Sequence, residues 1–249
     1  MTCAPPFLPK AILFDLDDTI LSAYARPEAA WLAVAQELAE AIAPLSPAAA
    51  AAAIAEHARG FWADPDRHRE HRQNLRAARR EIVGGALARL EGQGRSAFAA
   101  DVAVRLADRF TDYRDEQMTL FPGAHGTLDT LKSAGVRLAL VTNGDGPGQR
   151  RKVERFELAH RFDHIQIEGE HGFGKPEERA YLHALEALGA AAHETWMVGD
   201  NLEWEVAAPQ RLGIFAIWHD PLGLGLPAGS PVRPDRIIAR LGELLEPPR

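Results

Sequence analysis

The sequence predicts an α/β protein: a parallel-sheet core with an all-helical domain inserted after its first strand. Three observations carry this expectation. Short apolar runs of strand length recur at Ala11–Phe14, Val136–Val141, His164–Ile167, Thr195–Val198 and Gly213–Ile217. From Val136 onward they alternate with segments of helical period near Pro147–Leu158, Pro176–Leu188 and Glu203–Leu212, the alternation that builds a parallel sheet covered on both faces. Between the first two runs lies a stretch, 22–117, without a convincing strand and rich in Ala, Leu, Arg and Glu, which favour helix.

Taken in order, the first run ends at an acid, Asp15, and the chain then enters the helical stretch. Turn signals at Pro44–Pro47, Asp64–Pro65 and Gly92–Gly94 divide that stretch into about four helices. Its alanine run, Ala48 to Ala53, reads as a packed helix. A helical insert of this size directly after the first strand reads as a cap over the sheet edge. The expected domains are therefore a core of residues 1–21 and 118–249 and a cap of residues 22–117. Leu120-Phe121-Pro122-Gly123 marks the return to the core. Asp220 to Pro234, rich in Pro and Gly, reads as a long loop, and Ile237 to Leu245 as a last helix. No tandem repeat of fixed period is present.

Composition narrows the function classes. The chain of 249 residues is 46% hydrophobic and 25% charged, values ordinary for a domain with a sizeable core. A formal charge of -7 argues against non-specific nucleic-acid binding, which needs a basic face. The N-terminus lacks a basic segment followed by a long apolar run, and Ala11–Phe14 is too short for a signal peptide or a membrane span. A single cysteine, Cys3, cannot form an intramolecular disulfide. The expectation is a cytoplasmic protein without a membrane or nucleic-acid partner; oligomeric state is open.

Four local patterns carry chemistry. Phe14-Asp15-Leu16-Asp17-Asp18-Thr19 follows the first run. Two carboxylates two residues apart beyond a strand end serve one site if the chain turns there: one as a nucleophile at phosphorus, the other as a proton donor and acceptor. Their oxygens also suit magnesium. The bland alternative is a strand end with solvated acids. Val141-Thr142-Asn143-Gly144 offers a hydroxyl, backbone N–H groups and a permissive glycine as a phosphate cradle, or a plain turn. Gly174-Lys175-Pro176 puts Pro176 at the first position of a helix, and hence Lys175 at a helix N-terminus, where a cation needs a nearby anion; the alternative is a solvated surface lysine. In Gly199-Asp200-Asn201-Leu202-Glu203-Trp204-Glu205, Asp200 follows a strand and is placed to share a divalent ion with Asp15. Asn201, Glu203 and Glu205 are candidate supporting groups, the two glutamates otherwise being charges that a helix N-terminus favours.

In order and spacing these patterns resemble the haloacid dehalogenase (HAD) superfamily, whose phosphatase members carry Asp-x-Asp-x-Thr, then Thr, then Lys, then Gly-Asp. The resemblance runs from Ala11 to about His219 and implies a Rossmann-like, HAD-like core with a helical cap. It makes Asp15 the nucleophile and Asp17 the general acid and base. Thr142, with Asn143, would bind the transferring phosphoryl group, and Lys175 would balance its charge. Magnesium would be held by the carboxylates of Asp15 and Asp200 and the backbone carbonyl of Asp17. Many relatives place a second Asp five residues after the Gly-Asp acid; here Glu205 stands there. Leu140 to Asp145 followed by Gln149-Arg150-Arg151-Lys152 resembles the N-acylneuraminate phosphatases, and the Thr-Asn-Gly motif also occurs in pyrimidine nucleotidases.

The function this implies is magnesium-dependent hydrolysis of a small phosphate monoester: a sugar phosphate, sialic acid phosphate or nucleotide. A haloacid dehalogenase on the same fold, a phosphoryl-transferring mutase and a non-catalytic binding module are the alternatives. Asp17 favours the phosphatase, because an alkoxide leaving group needs a proton and a halide does not. Gly169 to Pro176 nearly fits a nucleotide-binding P-loop, but Pro176 fills the hydroxyl slot. Arg72, Arg76, Arg79 and Arg80 fall near one helix face, either solvated or facing the cleft to hold an anionic part of the substrate. His57, His160 and His193 have no metal-ligand spacing.

Overall fold

The computed structural model describes residues 7–23, 27–94 and 97–247; Cys3 lies outside them. Among the described residues the elements run β1 (Ala11–Phe14), β2 (Leu21–Ser22), α1 (Pro27–Glu37), α2 (Pro47–Trp62), α3 (Pro65–His71), α4 (Leu75–Gly92), α5 (Val102–Gln117) and β3 (Thr119–Leu120). Then follow α6 (Ala124–Ser133), β4 (Arg137–Thr142), α7 (Gly146–Arg155), β5 (His164–Ile167), α8 (Glu168–His171), α9 (Glu178–Leu188) and β6 (Thr195–Gly199). A π-helical segment, Leu202–Ala207, leads into α10 (Ala208–Arg211), followed by β7 (Phe215–His219) and β8 (Arg236–Ile238). The chain divides into two compact units, Met1–Ser22 with Thr119–Arg249, and Ala23–Met118.

The first unit is built on a six-stranded sheet of order β5-β4-β1-β6-β7-β8 in which every pairing is parallel. All four residues of β1 are buried, as a strand covered on both faces requires. Ala11, Leu13, Ala139, Val141 and Met197 pack with Tyr181, Ala184, Leu185 and Leu188 of α9 on one face. Strands added on one side of β1 precede those added on the other. The crevice beyond β1, between β4 and β6, is therefore the topological switch point where such sheets bind ligands. The antiparallel pair β2–β3 is where the chain leaves this unit and returns.

Two expectations are corrected here. Ile237 to Leu245 is not a helix: β8 pairs with the open edge of β7, satisfying its ladder groups, and only a 3₁₀ turn, Leu241–Leu245, follows. Pro176 does not begin a helix: α9 starts at Glu178.

The second unit contains five helices among the described residues, α1 to α5, rather than about four. The extra one is α3, which Asp64 begins by accepting the N–H groups of Asp66 and Arg67. Asp64–Pro65 thus separates α2 from α3 as expected, and the break that was not anticipated lies between α3 and α4, where Asn74 caps α4 by accepting the Ala77 N–H at 3.2 Å. The core of this unit includes Trp31, Ile54, Phe61, Ile82, Leu106 and Phe110, with Trp31 stacked on Phe110 at 3.5 Å between centroids. Along α4, Arg76 pairs with Asp112 at 2.7 Å and Arg80 with Asp108 at 2.6 Å. Arg79 is buried over the Phe110 ring, and Arg72 is buried too. This face is therefore largely engaged within its own unit. No helix among the described residues is long and apolar enough to cross a membrane.

Candidate active site

Beyond β1 the chain turns at once. Asp18 adopts a left-handed backbone, φ 58°, which Asp tolerates better than most residues. Asp18 N–H donates to the Leu21 carbonyl at 2.6 Å and Leu21 N–H to Leu16 at 2.9 Å. This tight loop brings Asp15 and Asp17 to the same end of the sheet. Asp15 is anchored by its own N–H to the Val198 carbonyl and by the buried Thr19 hydroxyl, which donates to Oδ2 at 3.1 Å.

Lys175 is fully buried. Its Nζ lies 2.5 Å from Asp15 Oδ1 and 2.7 Å from Glu205 Oε1. Burial works against this ammonium, but Asp15 and Glu205 outweigh it and raise its pKa. The lysine therefore finds its anions in side chains, without the helix N-terminus expected from Pro176. Its backbone is held through Asn143: Asn143 Oδ1 accepts the Lys175 N–H at 2.9 Å, and Asn143 Nδ2 donates to the Lys175 carbonyl at 2.7 Å. A Cβ at Gly174 would sit 2.5 Å from Asn143 Oδ1, so glycine is required for this clamp.

Glu205 reaches the lysine from the π-helical segment. Its Oε2 also accepts the Asn201 N–H at 2.7 Å, while Asn201 Oδ1 caps the segment by accepting from Glu203 and Trp204. Pro209, in α10 just after the segment, has no N–H to give to either kind of ladder. Glu203 points elsewhere, to Arg211 at 3.2 Å. Asp200 stands at the end of β6, its carbonyl accepting Trp218 Nε1–H at 2.6 Å.

Electrostatically the centre is crowded with acid. Burial raises the pKa of Asp15 against the opposing pull of Lys175. Burial, reinforced by Glu205 and Asp15, raises that of Asp200 well above the usual carboxylate range. Glu205 is pushed up to about 7, mainly by burial. Asp15 and Glu205, both buried against the Lys175 ammonium, and the partly buried Asp200 beyond β6 make an oxygen-rich, net-negative donor set of the kind a hard divalent cation neutralises. Magnesium fits these residues.

On the other side of Asp15, α7 supplies partners that the motifs did not disclose. Lys152 Nζ donates to both Asp17 oxygens, at 2.8 and 2.7 Å. Gln149 Nε2 lies 2.5 Å from Thr142 Oγ1, 3.0 Å from the Asn143 carbonyl and 3.2 Å from Asp17 Oδ2. Glu168 accepts the Gly144 N–H at 3.1 Å. Asp15, Asp17, Thr142, Asn143, Lys175, Asp200, Asn201 and Glu205 are thus all brought to one edge of the first unit. Thr19, Gln149, Lys152 and Glu168 were not anticipated in roles, although Thr19 stands in the first motif and Gln149 and Lys152 are one helical turn apart.

With this geometry in view, the family model of the haloacid dehalogenase-like hydrolases matches residues 9–213. The chain belongs to this family. It is 37% identical over 185 residues to a phosphoserine phosphatase of Thermus thermophilus, covering 74% of this chain and 65% of that protein, just under two thirds of its length. It is 33% identical over 132 residues to the N-acylneuraminate-9-phosphatase of Rattus norvegicus, covering 53% of this chain and 52% of that protein. The HAD-hydrolase YfnB of Bacillus subtilis, solved bound to magnesium, superposes with a TM-score of 0.68 at 25% identity, covering 95% of this chain and 97% of that one. This HAD-like hydrolase therefore has phosphatases among its relatives.

Proposed function

We propose that this HAD-like hydrolase is a magnesium-dependent phosphatase that cleaves a small phosphate monoester in the cytoplasm through an aspartyl phosphate on Asp15. The observation that carries the reading is the buried Asp15–Lys175–Glu205 cluster, with Asp200 beside it, at the switch point of the sheet. In that cluster Asp15 presents one oxygen to Lys175 and the other to Thr19. Relatives named as phosphoserine and N-acylneuraminate phosphatases support a small phosphorylated metabolite as substrate, and sugar phosphates, sialic acid phosphate and nucleotides are the classes to test.

In the proposed reaction an Asp15 carboxylate oxygen attacks phosphorus while the bond from phosphorus to the ester oxygen breaks. Asp17 gives its proton to the departing alkoxide, then takes one from the water that attacks the aspartyl phosphate, releasing inorganic phosphate and restoring Asp15. Lys175, the Thr142 hydroxyl and Asn143 meet the charge on the phosphoryl oxygens. Lys152 holds Asp17 in place by donating to both of its oxygens. Magnesium would be held by Asp15, Asp200 and the Asp17 carbonyl, with Glu205 and Asn201 supporting them, and supplies neutralisation of the phosphoryl charge.

The test is phosphate release from a panel of sugar phosphates, sialic acid phosphate, phosphoserine and nucleoside monophosphates, with and without magnesium. Magnesium-dependent release, abolished in Asp15→Asn, is the expected result. Chloride release from haloacids without any phosphate release would overturn the reading in favour of a dehalogenase.

A further inference from the structure

Three histidines that take no part in the chemistry above come together in the first unit: His164 on β5, His171 on α8 and His183 on α9. Each offers one ring nitrogen, and these nitrogens lie within 4.8 Å of one another. The rings are mutually adjacent, with centroids 5.1 to 6.3 Å apart.

Hydrogen bonding sets the tautomers of two of them. His183 Nδ1 lies 2.8 Å from Gln166 Oε1, and the NH₂ of that amide is committed to the Ala180 carbonyl at 2.9 Å. The amide oxygen can only accept, so His183 carries its hydrogen on Nδ1 and leaves the Nε2 lone pair for another partner. His171 Nδ1 lies 3.1 Å from the Ile167 carbonyl, with the same consequence. This is the outer arrangement that orients metal-binding imidazoles: one ring nitrogen donates to a carbonyl or amide, the other faces the ion. His164 Nε2 is buried and has no hydrogen-bond partner. Phe173 closes one side, its ring 5.8 Å from His171 and 5.6 Å from His183.

We propose that His164, His171 and His183 form a binding site for zinc or a similar transition-metal ion, distinct in ligand chemistry from the carboxylate centre. Imidazole nitrogen suits zinc, copper and nickel, whereas magnesium prefers the oxygen set of Asp15 and Asp200. Three neutral imidazoles leave a tetrahedral ion its fourth position for water or an outside ligand. Burial, with His183 and His171 nearby, lowers the pKa of His164, which favours the unprotonated form that a metal needs. An ion held here ties β5 to α8 and α9, the elements on either side of the loop carrying Lys175.

The full-length protein, with magnesium in excess to fill the carboxylate centre, is equilibrated with zinc and the retained metal counted. About one equivalent per chain is expected. His171→Ala and His183→Ala should lose retention, and Gln166→Leu, which keeps all three ligands and removes the orienting acceptor together with the amide's bond to the Ala180 carbonyl, should weaken affinity by about 10- to 100-fold. Cobalt should give the visible absorption of a four-coordinate nitrogen site in the unsubstituted protein, a measurement independent of how the variants fold. No zinc retention and no such cobalt band in the unsubstituted protein would overturn the proposal. So would folded histidine variants that hold zinc as tightly as the parent.

Discussion

Replacing Glu205 by Gln should change how stability depends on pH in the metal-free protein. Glu205 is 1% exposed, and its pKa rises from 4.5 to about 7, mainly through burial that Lys175 only partly offsets. A folded-state value above the unfolded one means that the native protein binds the proton more tightly. The stabilisation is therefore complete below about pH 4.5 and is lost as pH climbs through about 7. At about 1.36 kcal/mol per pH unit, the loss across that window is about 3 kcal/mol. Gln cannot titrate, and its amide oxygen can still accept the Asn201 N–H while Lys175 keeps Asp15. Asp200, raised by burial and then by Glu205, adds to the difference in the same direction. Urea unfolding of both proteins, without divalent ions, at several values between about pH 4.5 and 8 measures it. The gap between them should shift by about 3 kcal/mol in favour of the variant as pH rises. Parallel curves would refute the reasoning, because they would mean that Glu205 does not hold a displaced proton. Magnesium should oppose the effect, stabilising the parent protein more at the alkaline end, since it needs the carboxylates deprotonated.

Three further outcomes are expected. Gly199→Ala would place a Cβ 1.9 Å from Glu205 Cγ; displacing that side chain should cost about 1–3 kcal/mol in thermal or urea unfolding and weaken magnesium activation of phosphate release. Lys152→Met removes the partner of both Asp17 oxygens, and steady-state kinetics should show kcat reduced by about 100-fold if positioning of Asp17 limits turnover; an unchanged kcat would free Lys152 from that role. Phe110→Ala removes the ring stacked on Trp31 and lying beneath Arg79, which should cost about 3–5 kcal/mol and alter tryptophan fluorescence during unfolding.

The strands of the core were legible because strands buried on both faces write continuous apolar runs. β1 and β5 have the bounds expected, and β4 differs by one residue at each end. β8 was misread because three residues at a sheet edge carry too short a pattern to separate strand from helix. The decision comes from pairing with β7, which no local window contains. The candidate site was legible wherever chemistry falls at the end of a strand or just beyond it, as at Asp15, Thr142 and Asp200. It was not legible where the partner rides on a helix whose rotation depends on packing. Gln149 and Lys152 are such residues. The three histidines lie on a strand and two helices, so their spacing along the chain carries no trace of a common centre.

Glu205 shows how a departure from a family pattern can be coherent once its neighbours are considered. A longer acid at this position must pass its extra methylene somewhere, and it passes over Gly199, where any Cβ would collide with Glu205 Cβ and Cγ. From there the carboxylate spans two donors, Lys175 Nζ and Asn201 N–H. Gly199 at the end of β6 and Glu205 in the π-helical segment are therefore matched: the missing side chain gives the room and the longer one uses it. An Asp at 205 would sit one carbon further back and could not span both donors without moving the segment. If the pairing with Lys175 is what the site needs, Glu205→Asp should lose more activity than the small change in chemistry suggests, whereas Glu205→Gln should keep the geometry and lose the charge. Comparing the two variants in kcat and in magnesium dependence separates reach from charge: a loss confined to Glu205→Gln would mean that charge alone matters, and equal losses would mean that reach and charge are both needed.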